Sequence, residues 1–487
     1  MKLRTYCLTA TVLLLPLAQL AAASLPERLE RILSEPRFLS TLVGVKVAAL
    51  PGGRAVFENR ADRLFQPASN AKLFTAALVL DRIDLDSRVQ TSAYGTADTD
   101  ASGRLAGDLI VYGRGDPSFS PGFHRGDVRA PFREFAKALH RAGLRRVSGD
   151  LVADESYFNA PPLGPGWTWD ELEESYAAEV SALSALDNVA RLTVAPGTPG
   201  GAVIVKTRPG GLPLEIVNRA ITGRSGVGRS LEFYRPLHGD RLTVTGVMPA
   251  DDRGLVRELT IRRPAAWFGE LLRVELEELG IRIDGRVRAV NWHERLMEPR
   301  DNAGLRHIAS VSSPPIGRLT EVMMKESQNL YAQLLLLQAG SRHPRANMAT
   351  DAAGLAELDD FLRASGIDPG HVRLEEGSGL SRRSLVTPDA VVRLLVTMDA
   401  HARADAFRRL LPLAGVDGTL ADRFKGTPAF RKLRAKTGSL NNVQALSGYV
   451  DDSAGRRYAF SILMNNHLQS GASARAAVDA LAVELAR

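Results

Sequence analysis

Three short segments of the 487-residue chain combine a serine hydroxyl with a lysine, an arrangement suited to acyl transfer. They are Ser69-Asn70-Ala71-Lys72, Lys325-Glu326-Ser327-Gln328-Asn329 and Lys436-Thr437-Gly438-Ser439. Only 9 of the 62 basic residues are lysine. Arginine cannot serve as a base because its guanidinium group stays protonated. A site that needs an amine base therefore depends on these few lysines.

The first segment predicts a nucleophile and its base. Positions three residues apart at the start of a helix lie on one face, so the Lys72 amine can reach the Ser69 hydroxyl. The exposed amides of a helix N-terminus also favour negative charge developing there. Serine becomes a good nucleophile when a neutral amine within hydrogen-bonding distance takes its proton. Taken alone, the pattern more often indicates a helix cap followed by a solvated lysine.

The second segment supplies two polar groups between predicted helices. Ser327 offers a second hydroxyl that can relay a proton. Asn329 offers an amide that can hold either a substrate carbonyl or the Lys72 side chain. This segment alone is also compatible with an ordinary turn.

The third segment predicts a carboxylate-binding strand. Lys436 supplies a cation, and Thr437 and Ser439 supply hydroxyls. Gly438 would let a substrate backbone lie flat against the strand edge. In their chain order, the three segments form the Ser, Ser-x-Asn, Lys-Thr-Gly set of penicillin-recognising serine enzymes.

The sequence resembles the D-alanyl-D-alanine carboxypeptidase/endopeptidase family, the class C low-molecular-mass penicillin-binding proteins of the penicillin-binding protein 4 type. The separation of 258 positions from Ser69 to Ser327 resembles this family's insertion of extra domains after the first motif. Two positions depart from the family pattern, since Gln328 and Glu376 stand where relatives often carry Asp. Further matching stretches are Gly115 to Ser118, Gly164 to Asp170, Val180 to Ser184, Gly377 to Ser381 and Ala414 to Leu420.

The resemblance implies that Ser69 attacks the penultimate D-alanine carbonyl of a peptidoglycan stem peptide, with unprotonated Lys72 as general base. We expect the nearby Lys436 cation to lower the pKa of Lys72, because neighbouring cations disfavour each other. Ser327 would pass a proton to the leaving amine, and Asn329 would orient the substrate.

The resemblance also implies how the substrate is held. Lys436, Thr437 and Ser439 would bind its terminal carboxylate, beside Gly438. Backbone amides of Ser69 and Ser439 would form the oxyanion hole. β-Lactams resemble the acyl-D-alanyl-D-alanine end and would acylate Ser69 as covalent inhibitors.

Hydrophobic periodicity predicts the elements that must position these groups. Predicted helices are Leu25 to Leu33, Ala71 to Ile83, Phe132 to Ala142, Ala265 to Leu279, Ile316 to Met324, Leu330 to Gln338 and Ala472 to Leu485. Predicted strands are Leu42 to Leu50, Arg54 to Asn59, Asp108 to Tyr112, Gly149 to Val152, Ala202 to Lys206, Arg241 to Val247, Glu258 to Ile261, Lys432 to Gly438, Ala445 to Val450 and Arg457 to Met464.

These elements and the resemblance predict an α+β fold. Its core would be a serine β-lactamase/transpeptidase-like domain, an antiparallel sheet flanked by helices, interrupted by a long β-rich insertion of two subdomains. The predicted parts are a signal peptide at 1–23, the catalytic domain at 24–93 and 301–487, subdomain II at 94–187 and 263–300, and subdomain III at 188–262.

The first 23 residues predict a secretory leader. They contain a positive start, a short apolar run and a small-residue cleavage site, namely Lys2 and Arg4, Thr9 to Leu20, and Ala21-Ala22-Ala23. The single cysteine, Cys7, lies in this leader, so the mature chain has no thiol for disulfides, zinc or nucleophilic catalysis. We expect export to the periplasm, with at most peripheral membrane contact.

The remaining composition narrows the partners. A net charge of +7 fits an anionic cell wall or membrane surface, but the chain has no dense basic run typical of nucleic-acid binding. Histidines lack ligand spacing, so neither a metal nor another cofactor is implied. Trp167 and Trp169 are expected to pack rather than stack on sugars. The open alternatives are a β-lactamase or esterase using the same serine, and a non-catalytic cell-wall-binding protein; oligomeric state is left open.

Overall fold

The computed structural model describes residues 23–210, 212–237, 239–299, 303–345 and 347–487. Apart from Ala23, the predicted leader and its Cys7 lie outside these described residues. Within the described ranges, no helix is long and apolar enough to cross a membrane.

An antiparallel five-stranded sheet, which we call the catalytic sheet, joins the two ends of the chain. Leu433–Leu440, which carries the third segment, is an edge strand, so one side of its backbone has no partner within the sheet. The neighbouring strand is buried along almost its whole length. In spatial order, the strands are Arg54–Asn59, Leu42–Leu50, Arg457–Asn465, Val443–Asp451 and Leu433–Leu440.

Helices cover both faces of the catalytic sheet. On one face, Leu25–Leu33 and Gly471–Leu485 form a core in which Leu29, Phe460 and Leu481 are buried. The other face carries the helices Lys72–Arg82, Ile316–Lys325, Asn329–Arg342, Thr350–Ala364, Pro388–Ala400 and Ala404–Leu410 around a larger apolar core. The predicted antiparallel sheet flanked by helices, and with it the α+β class, is confirmed.

A second, mixed sheet of five strands lies in the predicted insertion. Phe132 and Trp267, from two helices that pack on it, are buried in its core. The strands in spatial order are Val287–Val290, Leu151–Asp154, Leu109–Tyr112, Arg88–Gly95 and Arg306–Pro315, and the helices are Ala130–Arg141 and Pro264–Glu278. Nearby lie the short strands Arg104–Leu105, Arg146–Val147 and Arg282–Ile283 and the helix Trp292–Met297.

Three small sheets complete the insertion around a separate core that buries Leu192, Val194 and Val244. The first sheet contains Leu255–Thr260, Val189–Ala195 and Ile204–Arg208; the second contains Glu215–Asn218, Arg241–Thr245 and Glu232–Tyr234; the third contains Ile221–Gly223 and Val247–Pro249. Elsewhere, Val372–Arg373 pairs with Leu385–Val386. Short 3₁₀ helices are Pro36–Phe38, Ala68–Ala71, Pro121–Phe123, Trp169–Glu171, Ser175–Ala177, Leu186–Asn188, Pro369–His371 and Gly418–Leu420.

Strand pairing bears on where the insertion begins and ends. Arg88–Gly95 crosses the predicted boundary at residue 93 and pairs with Arg306–Pro315. Both strands therefore belong to the mixed sheet, although most of their residues fall within the predicted catalytic segments. The four-part division of the chain stays a prediction.

Candidate active site

Ser69 lies on the 3₁₀ turn Ala68–Ala71, directly before the helix Lys72–Arg82. The turn is held by close backbone packing: Ala68 has a positive φ of 47°, and Gly379 packs against its carbonyl. A Cβ at Gly379 would lie only 1.9 Å from the Ala68 oxygen. Position 379 therefore has to be glycine for the Ser69 turn to keep this shape.

Lys72 is 0% exposed, and its amine has three oxygen neighbours. The Nζ atom lies 2.9 Å from Ser69 Oγ, 2.5 Å from Asn329 Oδ1 and 2.9 Å from the Ser378 carbonyl oxygen. The last two atoms can only accept hydrogen bonds. A neutral amine would satisfy both with its two N–H groups and direct its lone pair at the Ser69 hydroxyl.

Burial lowers the pKa of Lys72 to about 7, against the opposing attraction of the Glu376 carboxylate. Loss of hydration is therefore the main cause of this shift, whereas the expected repulsion between the two lysines contributes to the lowered pKa of Lys436. Lys436 is itself 0% exposed, and burial followed by the Lys72 charge lowers its pKa well below the ordinary value. A neutral Lys72 is thus available near neutral pH.

Ser327 lies in the tight turn between the helices Ile316–Lys325 and Asn329–Arg342. Its φ of 61° is unusual for a residue with a side chain, and such strain clusters at functional sites. The turn brings Ser327 Oγ within 2.8 Å of Lys436 Nζ. Asn329 begins the second helix, and its Nδ2 donates to the Tyr176 carbonyl oxygen at 2.8 Å.

The third segment occupies the edge strand as the sequence predicts. Lys436 Nζ also donates to the Thr437 carbonyl oxygen at 2.9 Å, and the exposed Ser439 donates from Oγ to Gln444 Oε1 at 2.9 Å. A Cβ at Gly438 would lie 2.8 Å from the Pro67 carbonyl oxygen. The glycine therefore lets the turn that carries Ser69 approach this strand, a packing reason that the sequence did not reveal.

Glu376 is a positioning residue whose role the sequence analysis missed. Its carboxylate is 2% exposed and accepts hydrogen bonds from the backbone amides of Ser378, Gly379 and Ser381 and from the Ser378 hydroxyl. These contacts hold the loop whose Ser378 carbonyl faces Lys72. The available signal was an acidic residue directly before Gly-Ser-Gly, but no local pattern connects that residue to Lys72.

The loop 414–420 connects the second and third segments. Its Asp417 carboxylate pairs with Lys325 Nζ at 2.8 Å, and Thr419 Oγ1 lies 2.9 Å from Thr437 Oγ1. A Cβ at Gly418 would lie 2.5 Å from the Lys325 carbonyl oxygen, so this contact is also close. Of the three lysines singled out from the sequence, Lys325 is therefore held in an ion pair, whereas Lys72 contacts Ser69 and Lys436 contacts Ser327.

A cavity of about 510 Å³ opens beside the second segment and is lined by Ser327, Gln328 and Asn329. The insertion contributes other walls, including Tyr176. Within the described part of the chain, no cluster of His, Cys, Asp and Glu side chains is arranged to hold a metal ion. The packing predicted for Trp169 is wrong, since this side chain is 72% exposed.

The fold and the three motifs define a penicillin-recognising serine enzyme. The sequence model of the D-Ala-D-Ala carboxypeptidase 3 (S13) family matches residues 25–487, and the chain belongs to this family. The family resemblance found in the sequence is thereby confirmed.

Individual relatives agree with this assignment. The chain is 33% identical over 499 residues to a D-alanyl-D-alanine carboxypeptidase from Actinomadura sp., covering 98% of this chain and 89% of the relative. The crystal structure of penicillin binding protein 4 from Haemophilus influenzae matches with a TM-score of 0.80 at 24% identity, covering 94% of this chain and 98% of that one. The same protein complexed with a novel β-lactam matches with a TM-score of 0.75 at 22% identity, covering 94% and 99%.

Proposed function

We propose that this chain hydrolyses the D-alanyl-D-alanine end or crosslink of peptidoglycan stem peptides through an acyl-enzyme on Ser69. One observation carries the proposal, namely the buried Lys72 amine in contact with Ser69 Oγ, Asn329 Oδ1 and the Ser378 carbonyl oxygen. Membership in the D-Ala-D-Ala carboxypeptidase 3 family supports the same reaction.

Acylation begins with attack of Ser69 Oγ on the carbonyl carbon of the penultimate D-alanine. Neutral Lys72 takes the hydroxyl proton as the new C–O bond forms. Backbone amides of Ser69 and Ser439 stabilise the oxyanion, and one such donor typically contributes about 3 kcal/mol. The substrate carboxylate binds to the hydroxyls of Thr437 and Ser439 and to Lys436, whose protonated form its negative charge stabilises.

Collapse of the tetrahedral intermediate breaks the C–N bond. The leaving D-alanine amine takes a proton from Ser327 Oγ, which lies 2.8 Å from Lys436 Nζ and regains a proton from that amine. The proton that Lys72 gained then passes to Lys436, which restores the cation there and leaves Lys72 neutral for the next step. A water molecule attacks the acyl-enzyme with Lys72 again as base, releasing the shortened peptide and restoring Ser69.

Reaction with β-lactams follows from the same chemistry. The Haemophilus influenzae protein in the β-lactam complex is a structural neighbour. A β-lactam carbonyl in this pocket would acylate Ser69, and slow deacylation would make the drug an inhibitor. The predicted leader, together with this substrate, supports export and a periplasmic location.

Purified mature protein should be incubated with monomeric and crosslinked muropeptides and the products identified by mass spectrometry. Loss of one D-alanine identifies carboxypeptidase activity, and splitting of crosslinked dimers identifies endopeptidase activity. Ser69→Ala is the matched control and should yield neither product. An active Ser69→Ala variant would contradict the proposal.

A parallel assay should compare labelling by fluorescent penicillin with turnover of a chromogenic cephalosporin. We expect stable labelling and little turnover. Rapid cephalosporin turnover without stable labelling would instead identify a β-lactamase.

A further inference from the structure

A second cavity lies where the mixed sheet of the insertion meets the helix Asn329–Arg342, and we call it the junction cavity. Its volume of about 390 Å³ lies within the range of about 300–1,000 Å³ that small-molecule sites occupy. Leu337 of that helix forms one wall, and segments of the insertion form the others. Among the described residues that line it, none belongs to the three segments that combine a serine and a lysine. The junction cavity is therefore separate from the candidate active site.

The walls of the junction cavity are mostly apolar. Phe158 and Leu337 are each 5% exposed. Trp292 is half-buried, and a hydrogen bond from its Nε1 to the Ala160 carbonyl oxygen at 3.1 Å fixes its position. Transfer of an apolar group from water into such surroundings is favourable. A ligand with an apolar body therefore suits these walls.

Two carboxyl groups, those of Glu155 and Glu179, line the same cavity. Glu155 directly follows the strand Leu151–Asp154 and accepts a hydrogen bond from the Ser181 hydroxyl. Glu179 accepts a hydrogen bond from the backbone amide of Arg263 at 2.8 Å. Within the described ranges, no Lys, Arg or His side chain lies within ion-pair distance of Glu155. Its carboxylate is therefore available to a cation from outside the chain.

The surroundings of Glu155 disfavour its charged form. Burial raises the pKa of Glu155 to about 7, against the opposing effect of the Ser181 hydrogen bond. The neighbouring carboxylates of Glu179, Glu294 and Asp154 raise this pKa further. Burial also raises the pKa of Glu179, against its backbone hydrogen bond and the charges of nearby arginines. A cation bound in the cavity would stabilise the ionised carboxylates that burial disfavours.

Two basic side chains also line the junction cavity, but both are exposed. The Arg263 guanidinium group is 70% exposed and pairs with Asp240 at 3.2 Å. The His293 ring lies edge-on to the Trp292 ring, with 5.7 Å between the ring centroids. These basic groups therefore lie at the rim of the cavity. A cation would bind beside Glu155 and away from Arg263.

We propose that the junction cavity binds a small organic ammonium ion with an aromatic or aliphatic body. Glu155 and Glu179 hold the ammonium group, and Phe158, Trp292 and Leu337 surround the apolar body. Carboxylates form charge-assisted hydrogen bonds with ammonium groups, and the face of a tryptophan ring also attracts cations. This ligand is distinct from the peptidoglycan substrate, so the inference goes beyond the proposed function.

Occupation of the junction cavity would connect the insertion with the helix that begins at Asn329. Glu155 and Trp292 belong to the insertion, whereas Leu337 lies on the helix Asn329–Arg342. A ligand that binds only the folded protein raises the free energy of unfolding once its concentration exceeds the dissociation constant. The ammonium ligand should therefore raise the melting temperature of the protein.

The test compares three probes that share a phenylbutyl group, namely phenylbutylamine, phenylbutanol and phenylbutanoate. We expect the amine, which is protonated at neutral pH, to bind with a dissociation constant about tenfold below that of the alcohol. The reason is that hydrogen bonds to charged groups are stronger than those between neutral groups. The carboxylate should bind more weakly than both. Saturation-transfer NMR titrations measure the three affinities, and thermal unfolding measures the stabilisation.

Matched variants identify the carboxyl groups that hold the ammonium ion. Glu155→Gln keeps the size of the side chain and an oxygen acceptor for Ser181, and it should reduce the preference for the amine over the alcohol. Glu155→Gln/Glu179→Gln should abolish this preference. Glu270→Gln removes an exposed glutamate that pairs with Arg273 outside the cavity, and it should keep the wild-type preference.

Two further measurements locate the binding site. Ala160→Leu adds bulk to the cavity wall and should weaken binding of the amine and the alcohol alike. Penicillin-acylated wild-type protein should bind the amine as the free protein does, because the junction cavity lies outside the candidate active site. Circular dichroism and urea unfolding without ligand establish that each variant is folded.

The outcomes separate this inference from the proposed function. Equal affinity of the wild-type protein for the amine and the alcohol would overturn the inference. A full preference in Glu155→Gln/Glu179→Gln, or loss of amine binding in the acylated protein, would also overturn it. Failure of penicillin to acylate Ser69 would count against the proposed function alone, because the variants still test the junction cavity.

Discussion

Two clusters of basic side chains in this protein differ in their access to water. Lys72 and Lys436 are both 0% exposed, and burial lowers the pKa of each. Arg191 and Arg208, which pair across two adjacent strands of the insertion, are exposed to water, which stabilises their charged form. Burial therefore provides an uncharged amine in the first cluster, whereas exposure preserves two positive charges in the second.

The difference also explains the residue types. Only lysine can lose its proton under the relevant conditions, so a buried base has to be lysine. An exposed cation that keeps its charge can be arginine, because the guanidinium group stays protonated. Replacing the buried lysine by arginine, or altering the contacts around it, tests whether burial provides the base.

The largest effect is expected for Lys72→Arg. The variant keeps a basic side chain but removes the proton acceptor, so the rate of acylation by penicillin should fall about 10²–10⁴-fold. Stopped-flow fluorescence with a labelled penicillin measures this rate. Lys137→Arg, at an exposed position paired with Glu134, is the matched control and should react at the wild-type rate. Comparable rates for Lys72→Arg and wild type would rule out Lys72 as the base.

A smaller effect is expected from crowding the turn that carries Ser69. Gly379→Ala introduces a Cβ where the Ala68 carbonyl oxygen lies 1.9 Å away, so it should lower the free energy of unfolding by clearly more than about 1 kcal/mol and slow acylation. Gly226→Ala is the control, because Gly226 has a similar φ of 80° with no heavy atom within 4 Å. Urea unfolding measures the free energy of unfolding of both variants. Equal losses relative to the wild type would show that the close contact at Gly379 is unimportant.

The smallest effect is a shift in pH dependence. In the wild-type protein, acylation should slow as the pH falls below about 7, because Lys72 becomes protonated. The Glu376 carboxylate raises the pKa of Lys72, so Glu376→Gln should move this decline to lower pH. Glu376→Asp retains the charge and should leave it in place. A decline at higher pH in Glu376→Gln would show that the Glu376 carboxylate does not raise the pKa of Lys72.

Local sequence patterns were sufficient for many elements. The strands Leu42–Leu50 and Arg54–Asn59 have the predicted bounds, and the helix Lys72–Arg82 differs from its prediction by one residue at each end. Their signals are short-range alternation, turn glycines and helical periodicity. By contrast, the predicted strand from Arg241 to Val247 is interrupted at Gly246, where a Cβ would meet the Ser230 carbonyl oxygen at 1.9 Å.

Some contacts of the candidate active site follow from local sequence patterns, and others do not. The Ser69–Lys72 contact follows from spacing within one turn, and the family resemblance supplied the partner segments. The contributions of Glu376 and Thr419 come from loops some 300 residues away from Ser69 along the chain, so no local pattern connects them with it. Burial of Lys72 is likewise a property of the assembled core, which explains why the sequence did not reveal the main cause of its lowered pKa.

Direct titration of Lys72 tests the central claim that burial provides a neutral amine beside Ser69. Protein labelled with ¹³C at lysine Cε gives few resonances, since the full sequence has only 9 lysines, and Lys72→Arg identifies the signal by its loss. We expect a chemical-shift midpoint near pH 7. A midpoint near the ordinary value of 10.5 would contradict it, because Lys72 would then remain a cation throughout the working range.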